Sequence, residues 1–216
     1  MVTSSFVRLA GIASLVAAGL ILVQQISQIA FGLTMSESMA SATHTLRYGL
    51  ALLAMYALLI ALTGLFAVQA TSAGRLGLIG YLVAALGTLL LAGDWWYEAF
   101  VAPLIAASAP ELLRTAPSGS ILIGAAATFA SFALGWTLFG VASYRARVFP
   151  RGAAVLTAVG GVVGILALAP PFQIPLALAV GWMGWSLVRS VVPEKTEPID
   201  GLPLQATATG EANLTG

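Results

Sequence analysis

The chain has 216 residues, 59% of them apolar and only 8% charged, with a formal net charge of +1 and a mean hydropathy of +0.98. A water-facing domain carries about 25% charged residues, so this composition excludes a soluble globular protein and makes the bilayer the solvent. The small net charge gives no basis for a nucleic-acid partner, and the absence of cysteine excludes disulfides, iron–sulfur clusters and thiol catalysis.

A membrane-crossing helix needs roughly 20 mostly apolar residues. Six stretches meet that requirement, at about 6–31, 48–69, 76–101, 119–142, 153–169 and 171–190. The expected fold class is therefore all-α, a polytopic bundle of about six transmembrane helices. It forms one membrane domain over residues 1–192, followed by a tail at 193–216. The first stretch has one Arg ahead of its apolar run, as a signal peptide does. It is long, however, passes into QQISQ (24–28) and offers no small-x-small cleavage site, so it is read as an uncleaved first helix.

The second stretch opens with HTLRYG (44–49) and the third closes with AGDWWYEAF (92–100). Gly160 and Gly164 form a GxxxG pair in the fifth. Membrane helices use such small residues for close backbone approach, and with the Pro170-Pro171 turn the pair predicts a tight hairpin of spans five and six. The tail is rich in Pro, Thr, Gly and acids with no apolar period, which predicts disorder.

Orientation follows from the basic residues, which collect on the cytoplasmic side. Alternate connections place Arg8, Arg75, Arg145, Arg147, Arg151, Arg189 and Lys195 on one side, and only Arg47 and Arg114 on the other. Both termini are thus expected in the cytoplasm, and the protein is expected as a multi-pass membrane component.

The candidate site lies at the outer end. Asp94 and Glu98 are four residues apart and share a helix face, with Gly87 and Gly80 one and two heptads below Asp94. A glycine stripe suits a neighbouring helix, so the carboxylates are predicted inward and Trp95 and Trp96 toward lipid. Gln25 and Gln28 on span one, His44 and Arg47 on span two and Gln173 on span six reach the same depth. An unpaired carboxylate is costly there, which makes Arg47 the expected partner of Asp94 or Glu98. Two interpretations remain open: an Arg–carboxylate clamp that pins the bundle, or a polar cavity opening outward. His44 with Asp94, Glu98 and Glu37 is too loosely spaced for a metal ligand set, so no metal or other cofactor is expected.

Absent motifs narrow the function. There is no phosphate-binding glycine loop, no HExxH, no Lys within a span and a single His, and no charge is expected at the bilayer midplane. The expectation is a non-enzymatic membrane protein that binds, or moves, a small amphipathic molecule through the outer-leaflet polar pocket. The alternative is a scaffold or partner subunit whose packing faces and basic loop YRARVFPR (144–151) engage another membrane protein, a second copy or anionic lipid.

RLAG (8–11), LRYGL (46–50), GRLGLIGYL (74–82) and FPRGAAVLTAVGG (149–161) carry a resemblance. In these strings the chain resembles small six-helix bacterial integral membrane proteins of unknown function. The likeness spans about residues 6–190 and implies a shared bundle architecture, with no function or site residue carried over.

Overall fold

A computed structural model of the protein describes residues 3–31, 39–114, 119–164 and 172–191. Glu37, Pro170-Pro171 and the tail at 193–216 lie outside the described residues. The described chain is helical throughout, with no strand: α1 (Ser4–Phe31), α2 (Ala42–Trp96), a π-helical turn (Tyr97–Val101), α3 (Ala102–Ser108), a 3-10 turn (Pro110–Arg114), α4 (Ser120–Ala146), α5 (Arg151–Val163) and α6 (Ile174–Val191). Three helical runs are long and apolar enough to cross a membrane, namely Ser4–Ala30, Ala42–Ser108 and Ser120–Ala146.

The middle run has 67 residues. At 1.5 Å per residue a straight helix of that length would reach about 100 Å, three times the hydrocarbon thickness. Gly74 resolves the excess, because its backbone (φ 57, ψ −151) lies in a region that residues with a Cβ avoid. The chain reverses there, and the two arms of α2, 42–73 and 75–96, run antiparallel. Phe66 stacks on Tyr81 at 4.5 Å near the turn, and Tyr48 meets Trp95 at 5.4 Å near the far end.

Packing follows the small residues. A Cβ added to Gly80 or Gly87 would strike the backbone of α4 at Phe139 or Phe132, and one added to Gly135 would strike Ala84. The predicted glycine stripe is therefore the contact between the second arm of α2 and α4. Gly64 lies against Ala10, which joins the first arm to α1. Gly184 lies against Ser14 and Gly181 against Ala18, which sets α6 antiparallel to α1. Bilayer-facing side chains gain nothing hydrophobic by association, so backbone proximity and dispersion hold these pairs together.

Span five differs from expectation. Its helix begins at Arg151, behind the N-cap Pro150, rather than at 153, and is described to Val163 with Gly164 as C-cap; residues 165–169 of the expected span lie outside the described residues. Gly160 does face α6, at Leu176, whereas Gly164 faces the Phe132 ring of α4 and Gly161 faces Thr137. The GxxxG pair is thus divided between two neighbours instead of serving α6 alone.

These contacts bring Arg8, Arg75, Arg145, Arg147, Arg151 and Arg189 to one end of the molecule. Arg151 lies 5.9 Å from the Tyr144 ring centroid there, and Arg189 lies 4.7 Å from that of Trp185. Two buried polar contacts cross between helices: Gln69 Nε2 donates to Ser143 Oγ (2.9 Å) and Trp136 Nε1 donates to Thr88 Oγ1 (3.2 Å). The Gln69–Ser143 bond makes the arginine-bearing end more polar inside than the sequence suggests. Gln69 falls at the edge of the expected apolar stretch and escapes notice for that reason.

Candidate functional site

The opposite end gathers the glutamines, the histidine and the carboxylates. On α1, residues 10, 14, 17, 21, 24 and 28 recur at steps of three and four and are all buried. That face therefore carries Gln24, Gln25 and Gln28 into the bundle near the end of α1. The α1–α6 register (Ser14 with Gly184, Ala18 with Gly181), continued by two turns, sets the buried Gln173 at the level of Gln25.

The first arm of α2 starts at Ser41, whose hydroxyl caps the helix by accepting from the His44 backbone N–H (3.2 Å). One turn in, the His44 ring crosses to the second arm. Its Nε2 lies 3.0 Å from the Glu98 backbone carbonyl and 3.3 Å from Glu98 Oε2. Both partners are acceptors, so Nε2 carries the hydrogen. The carbonyl is open because the π-helical turn shifts the backbone pairing, with Ala102 N–H going to the Tyr97 carbonyl. The next donor in that register, five residues beyond Glu98, would be Pro103, which has no N–H. His44 supplies the missing donor.

Above this contact His44, Tyr48 and Trp95 form a column of rings, with centroids 4.5 Å and then 5.4 Å apart. Trp95 is therefore inside, 7% exposed, while Trp96 is 52% exposed. The expectation that both tryptophans face lipid holds for Trp96 alone. The second arm packs on α4 through its glycines and on the first arm through Trp95, which meets Tyr48, and two neighbours bury a wider arc than one.

The expected Arg47–carboxylate clamp does not form. Among the described residues Arg47 has no carboxylate within ion-pair distance, and Glu98 faces His44 instead. Three residues separate His44 from Arg47, about 60° around a helix, which is enough to put His44 on the inner face and Arg47 on the side toward α1. Asp94 is half-buried beside Glu98 and makes no ion pair among the described residues. Among the described residues, no three of His, Asp and Glu come together as a ligand set.

Arg47 instead lines a groove of ≈ 120 Å³ between α1 and the first arm of α2, with Val23, Gln24, Ser27, Thr43, Leu46 and Leu50. Ser27 Oγ donates to the Gln24 carbonyl (2.7 Å), and Gln25 Nε2 donates to Gln24 Oε1 (2.7 Å). That second bond fixes the Gln24 amide and leaves its Nε2 buried with no acceptor. Arg47 Nε, Gln25 Oε1, Trp95 Nε1 and Gln173 Nε2 are also buried without a hydrogen-bond partner. Buried polar groups are ordinarily paired, and each orphan costs about 1–3 kcal/mol.

Thus His44 meets Glu98 across the arms of α2, Gln25, Gln28 and Gln173 are buried, Asp94 is half-buried, and Arg47 belongs to the neighbouring groove. Tyr48, Trp95 and Gln24 join the site from positions that read as interfacial aromatics and a border residue. The i to i+4 spacing of His44 and Tyr48 is the signal that could have placed Tyr48 on the inner face. Comparison of the chain with protein-family models, with curated proteins and with solved structures finds no match.

Proposed function

We propose that the protein is a six-pass component of the bacterial inner membrane, with both termini cytoplasmic, that binds a small amphipathic molecule in its outer leaflet without catalysing a reaction. The six passes would be α1, the two arms of α2, α4, α5 and α6, the second arm being extended by the π-helical turn and α3. Orientation is supported by the six arginines gathered at one end, the side that the positive-inside rule assigns to the cytoplasm.

The observation that carries the binding reading is the groove between α1 and α2, an almost wholly apolar hollow whose lining includes Val23, Leu46 and Leu50 together with Gln24 and Arg47. An apolar hollow with a cationic residue among those that line it suits a molecule with one polar end and one oily end. A catalytic role has less support, since the histidine ring is committed through Nε2 to Glu98 and, among the described residues, no metal ligand set forms. The scaffold reading is also weaker. Gly160 and Gly164, the motif proposed to engage a partner, are covered by Leu176 and Phe132 of the same chain.

Mass spectrometry of lipids and metabolites released from the purified protein, with and without Leu50→Trp to fill the groove, tests this reading. A released amphiphile that the variant loses supports it. Identical release from both proteins overturns it.

A further inference from the structure

The outer face of α5 and α6 changes character toward the arginine end. On α6, Leu178, Trp182, Trp185 and Arg189 recur at steps of four, three and four, which sets them on one side of the helix. All four are exposed, the two tryptophans by 48% and 47%. On α5, Val155 and Arg151 stand four apart in the same order from apolar to basic, and both are exposed. We propose that this face holds one anionic phospholipid lengthwise. Its phosphate is gripped by Arg151 and Arg189, its glycerol region lies on Trp182 and Trp185, and an acyl chain runs along Leu178 and Val155.

Two contacts join the helices into one face. Gly160 lies against Leu176, and Gly152 lies against the Trp182 ring, so α5 and α6 run antiparallel and the start of one meets the end of the other. Each guanidinium already rests on a ring. Arg151 is 5.9 Å from the Tyr144 ring centroid, and Arg189 is 4.7 Å from that of Trp185. A ring face attracts the cation through its quadrupole and leaves the planar N–H fork open for phosphate oxygens.

No carboxylate competes for these arginines among the described residues. The acidic groups described are Asp94, Glu98 and Glu111, which lie at or beyond the far end of the second arm of α2. Exposed Arg145 and Arg147, at the end of α4 and in the loop that leads to α5, add charge of the same sign to this corner. A cationic corner without counter-charge selects an anion.

Length decides for a lipid over a soluble phosphate. Arg189 lies eleven residues past Leu178, about 16 Å along the helix, and half of the hydrocarbon core is roughly 15 Å thick. A lipid of one leaflet therefore sets its phosphate at the arginines while its chains reach Leu178. Tryptophan rings favour the level between headgroup and hydrocarbon, where Trp182 and Trp185 stand.

The test is native mass spectrometry of the full chain in a neutral detergent, titrated with dioleoylphosphatidylglycerol or dioleoylphosphatidylcholine. Wild-type protein should bind phosphatidylglycerol more tightly. Arg151→Gln and Arg189→Gln should each weaken that adduct about fivefold, as for one basic residue at an anionic surface. Both side chains are exposed, so the lipid-free melting temperature should stay in place. Arg75→Gln removes the same charge from α2 at the same end and should change binding less than twofold.

An equal loss in Arg75→Gln would mean diffuse attraction to the whole end, and the assignment to this face is overturned. If glycerol 3-phosphate displaces phosphatidylglycerol at equal concentration, the occupant is a soluble phosphate and the lipid assignment fails. A preference absent from wild type that emerges on combining Glu194→Gln, Glu197→Gln and Asp200→Asn would give the arginines to the chain's own acidic segment, which also overturns it. The groove of α1 and α2 is a separate place, so Leu50→Trp should leave the adduct intact. Its loss in Leu50→Trp would put the lipid in the groove and overturn the α5–α6 site alone.

Discussion

His44 Nε2 donates across the bundle to the backbone carbonyl of Glu98 at 3.0 Å, the carbonyl that Pro103 leaves without a donor. This bond joins the start of the first arm of α2 to the end of the second, 54 residues later in the chain. It closes the hairpin that Gly74 opens.

If the backbone carbonyl is the essential partner, removing the ring should matter more than removing the carboxylate charge. His44→Ala should lower stability in detergent by about 1–3 kcal/mol, the cost of an orphaned buried acceptor, whereas Glu98→Gln should cost less than half as much. Pro103→Ala restores an N–H near Glu98 and should reduce the penalty of His44→Ala in a double-mutant cycle. Additive thermal shifts would show that Pro103 is not the reason His44 is needed.

Gly74 gives a second test. No heavy atom lies within 4 Å of a Cβ added there, so any penalty of Gly74→Ala comes from the backbone alone. Its φ of 57 and ψ of −151 predict a loss of roughly 1–3 kcal/mol, measured as a drop in detergent melting temperature. An unchanged melting temperature would mean that the reversal tolerates an ordinary residue.

Two glycines of the second arm should respond oppositely. Gly87→Ala drives a methyl group into the α4 backbone at Phe132 and should destabilise by about 1–3 kcal/mol through overpacking. Gly93→Ala meets open space and should be neutral, or stabilise by about 0.5–1 kcal/mol through helix propensity. Equal effects would contradict the assigned α2–α4 contact.

For Arg47, a buried pair with Asp94 or Glu98 would make Arg47→Ala cost on the order of 3–5 kcal/mol. With no carboxylate beside it among the described residues, the substitution should cost less than about 1 kcal/mol in lipid-free detergent. A large loss, rescued by Asp94→Asn, would restore the clamp.

Topology can be tested independently of stability. A reporter fused after Arg189 should be active only in the cytoplasm, because the six arginines described at one end belong on that side. Periplasmic activity would reverse the orientation and place the groove in the inner leaflet.

How much of this was legible in advance varied with the range of the interaction. Composition alone required membrane helices, because no arrangement of so few charges can cover a water-facing surface. Seven-residue spacing of Gly80, Gly87 and Asp94 marked a packed face, since helix periodicity is a local property that neighbours do not change. That His44 and Glu98 share a level was readable for the same reason: helix rise converts residue count into distance.

Which of those groups touch was decided by tertiary structure. Charge suggested Arg47 as the partner of a carboxylate, but partner choice depends on the rotation of α2 against its neighbours. That rotation turned His44 inward and Arg47 toward α1. The same packing buried Trp95 while leaving Trp96 exposed, a distinction between adjacent aromatics that the pattern AGDWWYEAF does not contain. The sequence by itself determined the solvent and the helices. Only the tertiary structure decided the pairings, because these depend on helix–helix rotations and on a π-helical turn whose effect appears 54 residues away, at His44.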